Sequence, residues 1–135
     1  FLPKEPTKTA LDLIQNHKNK PLVSVLENES CQAVFEKMQK YGISQIPVSS
    51  ENGDFIGSVE ENVLNRKLMS QGCSLESSVK EVMSEPYPIV GFAESIENIS
   101  KRINEKNSAC LVMDMGGNWH IITKQDIIQA ISMDA

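Results

Sequence analysis

The chain is written twice. Residues 25–48, VLENESCQAVFEKMQKYGISQIPV, lie over residues 90–113, VGFAESIENISKRINEKNSACLVM, at an offset of 65. Glu29-Ser30 falls on Glu94-Ser95, Met38 on Ile103 and Ile46 on Leu111. Past the next turn the offset drops to 63, so GSVEENVL falls on HIITKQDI, and the second loop is read as two residues shorter. A long period with only two copies implies a paired domain and not a solenoid, whose many short units stack on one another.

Both copies predict the same order of elements. In the first, PLVSVL is a short extended segment, and residues 29–41 carry Val34, Phe35, Met38 and Tyr41 at helical spacing. Gly42 is the expected helix stop, because a left-handed residue there costs glycine little. ISQIPVS reads as a strand that Pro47 demotes towards an edge or an irregular ladder, ENGD as a hairpin turn, FIGSV as a strand and residues 61–69 as a helix. The second copy follows with PIVG, a helix over 94–105 bearing Ile96, Ile99 and Ile103, strand ACLVM, turn DMGGN, strand WHIIT and a helix over 124–132. The expected fold class is α+β, with two β-α-β-β-α repeats at 21–69 and 83–135. Residues 70–82 read as a linker, and residues 1–20 as a linker with a short helix in TKTALDLIQ. A lone three-stranded sheet covers too little apolar surface, so the halves are expected to pack together with pseudo-twofold symmetry.

Composition narrows the function. With 40% hydrophobic residues in 135, the chain can bury a core, and a net charge of −5 argues against nucleic acid as partner. No apolar run has the length of a bilayer span. Cys31, Cys73 and Cys110 are scattered, and with His17 and His120 they form no zinc spacing. They read as small buried hydrophobes, and free thiols suit a reducing cytoplasm. No phosphate-binding glycine motif occurs, and the carboxylates form no pair suited to acid–base catalysis. No catalytic residue and no metal site are expected.

The motif that remains open is Thr123-Lys-Gln-Asp126, between strand WHIIT and the last helix. Thr-x-x-Asp is the pattern of a capping box. It also sets a hydroxyl and a carboxylate side by side at a helix start, where they can receive a diol. The equivalent positions of the first copy are Glu60 and Val63. That helix must form without the box, so the repeat does not require it.

The repeated β-α-β-β-α unit, GISQIPV on an inner strand and IITKQD before the last helix resemble a tandem CBS-domain pair, or Bateman module, over about residues 21–131. KYGISQIPVSSENGDFIGSV is similar to the regulatory tail of the cystathionine β-synthases. By that likeness FLPKEPTKTALDLI is the linker leaving a pyridoxal-phosphate (PLP) catalytic domain, and the chain is a segment of a longer protein. The resemblance implies ligand sensing without catalysis: an adenosyl effector, S-adenosylmethionine in preference to AMP or ATP, allosterically controlling an attached enzyme. It implies that Ile43, Ser44, Gln45 and Ile46 frame the adenine while Thr123, Gln125 and Asp126 meet the ribose hydroxyls. It also implies a cytoplasmic homodimer, for which the faces bearing Val34/Phe35/Met38 and Ile96/Ile99/Ile103 are the candidates. Val63 accepts no hydrogen bond, so the counterpart site of the first copy is expected to be degenerate, with Glu60 a partial substitute. A structural dimerisation module, with Thr-x-x-Asp only a cap, is the competing expectation.

Overall fold

In the computed structural model, which describes residues 8–15, 21–104 and 106–132, each copy builds a three-stranded sheet. In the first, β1 (Val25–Leu26) lies parallel to β2 (Gln45–Ser49), which pairs antiparallel with β3 (Phe55–Glu60). In the second, β4 (Ile89–Val90), β5 (Ala109–Met113) and β6 (Trp119–Thr123) repeat that order. Helix α2 (Cys31–Tyr41) joins β1 to β2, and α5 (Ile96–Arg102) joins β4 to β5. Helices α3 (Glu61–Met69) and α6 (Lys124–Ser132) follow the last strand of each sheet without a break. Ser30 and Ser95 cap α2 and α5 by accepting from the amides of Ala33 and Asn98, the same bond in both copies.

The chain divides into two units, 23–87 and 88 onward together with the residues before 23. Each has its own core. The first is built on Val25, Cys31, Val34, Met38, Ile46, Val48, Val59 and Leu64, and the second on Val90, Ile99, Cys110, Val112, Ile122 and Ile127.

The segments that precede the repeats are exchanged. Helix α1 (Ala10–Ile14) puts Ala10, Leu13 and Ile14 into the second unit's core, while α4 (Val79–Val82), within the stretch read as a linker, puts Val79 and Val82 into the first. The backbone repeats the arrangement: Ala10 N–H donates to Glu94 O and Val79 N–H to Glu29 O, both at 2.8 Å, while Ile96 donates to Lys8 O and Cys31 to Ser77 O. Helices of five and four residues do not persist alone, so packing makes both.

The structure corrects the alignment of the copies. Ile46 and Val48 face their core, and their counterparts are Cys110 and Val112, so Ile46 corresponds to Cys110 and not to Leu111. The hairpin turns are equal in length: Ser50 N–H donates to Asp54 O as Asp114 N–H does to Asn118 O. One residue is lost at the helix exit. Gly42 takes φ 63 after α2 and its amide returns to Met38 O, whereas α5 ends in extended Ile103. The other is lost in the ladder, where a register shift between Val48 and Ser49 in the first sheet has no counterpart in the second.

Of the two readings for Pro47 the structure has the irregular ladder, with its register shift at Val48/Ser49, and not the edge, because β2 is the middle strand of its sheet. Ser58, its partner, turns both N–H and C=O to Ser84, so Pro47 and Ser58 are a non-hydrogen-bonded pair. The proline nitrogen therefore faces the β1 side, where β1 pairs only with Val48 and Ser49. The proposed dimer faces are core as well: Val34, Met38 and Ile99 are buried within their own units, with Phe35, Ile96 and Ile103 packed against those cores.

Candidate functional site

Thr123 ends β6 and Asp126 lies in the first turn of α6. Strand alternation sends Ile122 into the core and leaves Thr123 half-buried, and burial of Ile127 turns Asp126 back towards it. Asp126 Oδ2 accepts from Thr123 N–H at 2.8 Å and from Thr123 Oγ1 at 3.1 Å. This is the carboxylate half of a capping box, with Asp126 reaching back to the residue before the helix. Lys124 and Gln125, between them, are exposed.

The same arrangement occurs a second time, in a stretch whose spacing the sequence also displays. Thr9-Ala-Leu-Asp12 opens α1, and Asp12 Oδ2 accepts from Thr9 N–H at 2.7 Å and from its hydroxyl at 3.4 Å. In its two bonds to Thr123, Asp126 has the geometry of a helix cap, and a ligand role needs support beyond it.

In the first unit the counterparts of Thr123 and Asp126 are Glu60 and Val63. Buried Tyr87 donates its hydroxyl to Glu60 Oε1 at 3.1 Å, a contact with no local sequence signal across 27 positions. The other predicted site residues lie beside Glu60. Ile43 is half-buried against the core, Ser44 is exposed and its carbonyl accepts from Glu61 N–H at 2.8 Å, and Gln45 pairs with Glu60 across the ladder. Ile46 is fully buried, and alternation from the Pro47–Ser58 pair makes Ile46–Val59 a hydrogen-bonded pair. Its side chain belongs to the core and its backbone to the ladder. Thr123 and Asp126 are thus brought together in one unit, and residues 43–46 are grouped in the other.

Two further constellations escaped the sequence reading. His120 Nε2 lies 2.8 Å from Asp114 Oδ2, and Asp114 Oδ1 accepts from the amides of Gly116 and Asn118. The His120 bond, followed by those amides, holds the Asp114 carboxyl down to about 2. Cys73, far from Cys31 in sequence, packs against the core that contains it. Among the described residues no cluster of His, Cys, Asp and Glu could hold a metal, and no helix is long and apolar enough to cross a membrane.

The family profile described as CBS domain matches residues 14–69 and 79–133. Cystathionine beta-synthase of Saccharomyces cerevisiae is 26% identical over 133 residues, covering 84% of this chain. The chain spans only 26% of that relative's length. Among solved structures, a CBS-domain containing protein from Agrobacterium tumefaciens, ATU1752, superposes with a TM-score of 0.79 at 20% identity, covering 97% of this chain and 99% of that one. The CBS domain pair of protein MJ0100, solved with 5′-methylthioadenosine and S-adenosyl-L-methionine, gives 0.78 at 17% identity, covering 96% and 100%. CBSX2, solved with AMP, gives 0.70 at 21% identity, covering 93% and 97%. At these identities the likeness is one of fold.

Proposed function

The chain belongs to the CBS-domain family as a tandem pair, and from that premise we propose that it is a regulatory module whose effector is an adenosyl compound. The observation that carries the reading is that two CBS structures of the same fold, MJ0100 and CBSX2, hold ligands that share an adenosyl group. The ribose diol is assigned to Thr123, Gln125 and Asp126. A carboxylate offers about four acceptor positions, and the two bonds from Thr123 converge on Oδ2. The adenine is assigned to Ile43, Ser44 and Gln45, with Ile46 fixing that stretch from the core beneath it. With Val63 in place of the acceptor, the first unit's counterpart of the ribose site takes no diol.

S-adenosylmethionine is the preferred effector. Its sulfonium and ammonium suit a chain of net charge −5, whereas phosphates call for cations and N–H donors. The yeast relative is much longer than this chain, which supports a module carried by a PLP-dependent cystathionine β-synthase in the cytoplasm. Binding then acts by favouring one arrangement of module and catalytic domain over another. Assembly as a homodimer is assigned to the exposed Ile128 and Ile131 of α6, since the α2 and α5 faces are spent on the cores. The matching cap at Thr9 and Asp12 favours a second reading, a structural module whose Thr-x-x-Asp only closes a helix.

Titration calorimetry of the chain with S-adenosylmethionine, AMP and ATP separates the two. Saturable binding of at least one is expected, S-adenosylmethionine most tightly. Heats of dilution alone with all three would leave the structural module.

A further inference from the structure

The two hairpin turns share one backbone. Ser50 N–H donates to Asp54 O at 2.8 Å and Gly53 N–H to Ser50 O at 3.0 Å, as Asp114 does to Asn118 O at 2.8 Å and Gly117 to Asp114 O at 3.2 Å. Gly53 and Gly117 hold the same left-handed position, at φ 88 and 86. The side chains differ. In the second turn Asp114 Oδ1 also accepts from the amides of Gly116 and Asn118, which locks the loop. Ser50 stands at that place in the first turn, and its buried hydroxyl has no hydrogen-bond partner, so the lock is missing. The tip of the first turn is Asn52, where the second has Gly116. Asn52 and Gly53 are exposed, the Asn52 amide makes no hydrogen bond, and nothing lies within 4 Å of where a Gly53 Cβ would stand. Asn52 is also the only asparagine of the chain followed by glycine.

We infer that Asn52 is a site of spontaneous covalent modification, where the β2–β3 turn converts its own side-chain amide to a carboxylate with water as the only co-reactant. Base takes the proton from Gly53 N, and that nitrogen attacks Asn52 Cγ. The N–Cγ bond forms, the Cγ–Nδ2 bond breaks, and the leaving nitrogen takes up a proton and departs as ammonia. Water then opens the five-membered succinimide. Cleavage between Gly53 N and Cγ gives aspartate in the ordinary chain. Cleavage between that nitrogen and the main-chain carbonyl carbon of residue 52 gives isoaspartate, whose main chain runs through Cβ and Cγ. One amide and one water become one carboxylic acid and one ammonia, and nothing is oxidised or reduced. Glycine favours the attack because it has no Cβ to shield the nitrogen, and a single exposed turn bond opens to free Gly53 N–H. Either product adds a negative charge between exposed Glu51 and Asp54. Isoaspartate also makes the main chain one atom longer, inside a turn whose two backbone bonds match those of its counterpart.

The test incubates the whole folded chain in warm, mildly alkaline buffer beside a sample unfolded in urea. Released ammonia is measured, and peptic digestion in acid, where the reaction is slow, precedes mass spectrometry with fragmentation that separates aspartate from isoaspartate. The folded chain should lose the Asn52 amide on the same time course as the unfolded one, with isoaspartate and aspartate at position 52 and ammonia in equal amount. Asn107, followed by serine, and Asn118, followed by tryptophan, should stay intact in the folded chain. Asn52→Gly, which gives the first turn the two glycines of the second, should abolish the ammonia release. An Asn52 amide that survives in the folded chain while the unfolded sample converts would overturn the proposal, because the turn would then protect it. Conversion of Asn107 or Asn118 ahead of Asn52, or ammonia release undiminished in Asn52→Gly, would do so as well.

Discussion

Asp126 spends one oxygen on the amide and hydroxyl of Thr123, and Asp12 does the same for Thr9. The pair is a built-in comparison, since Asp→Asn keeps size and much capping ability while removing the charged acceptor. If Asp126 also holds a ribose, Asp126→Asn weakens adenosyl binding by about tenfold to several-hundredfold, because hydrogen bonds to charged groups are worth roughly 1.5–3 kcal/mol each. Asp12→Asn leaves affinity unchanged, and both variants lose only about 1 kcal/mol or less of stability. Calorimetry showing equal affinity for both variants and the parent would return Asp126 to capping alone. Asp114 carries a second residue-scale expectation. Its folded value of about 2 lies below the ordinary 3.8, so its contribution to stability is complete above about 4 and is lost as pH falls towards 2. Denaturation midpoints followed through that window should fall more steeply in the parent than in Asp114→Asn, and parallel curves would contradict it.

At the scale of an element, the β3 strand shows why a glycine stands where a strand prefers a branched residue. A Cβ on Gly57 would sit 2.5 Å from Met83 Sδ and 3.0 Å from Ser84 O. The methionine can swing away, but the Ser84 carbonyl is fixed by its bond from Ser58 N–H. Gly57→Ala should therefore cost about 1–3 kcal/mol, as overpacking does. Gly91→Ala, which meets nothing within 4 Å, should stay within about 0.5 kcal/mol of the parent. Urea denaturation of both decides it, and a neutral Gly57→Ala would mean the segment after α4 is not held against β3.

For the whole molecule, the exchange of preceding segments decides which half a change harms. Leu13 lies in α1, just before the first repeat in sequence, yet is 3% exposed in the second unit's core. Leu13→Ala should cost about 2–5 kcal/mol. Its effect should appear in hydrogen–deuterium exchange as lost protection at 109–113 and 119–123, while 45–49 and 55–60 stay protected. Loss confined to the first sheet would show α1 serving the repeat it precedes.

Much of this architecture could be read from the chain alone. Helical spacing at Val34 and Met38, the ENGD turn before FIGSV, the left-handed glycine after Tyr41 and the duplicated Glu-Ser before each first helix are local rules. They placed most elements and the fold class. The errors share one cause. Whether Pro47 marks an edge or an irregular ladder depends on how far β1 extends beside it, which no local rule decides. Whether Ile46 matches Cys110 or Leu111 depends on which residues face a core, and a one-residue slip reverses every side chain of a strand. Whether α2 and α5 offer their apolar faces to a partner depends on what already covers them. The helices at Ala10–Ile14 and Val79–Val82 are too short for propensity to sustain and exist through contacts far away in sequence. The candidate site divides the same way. Thr-x-x-Asp at a strand-to-helix junction is legible as a motif, but the motif is the same at Thr9 and at Thr123. The meeting of Tyr87 with Glu60 has no spacing to announce it, because local periodicity carries information only over a few turns, and this contact is made by the return of the chain.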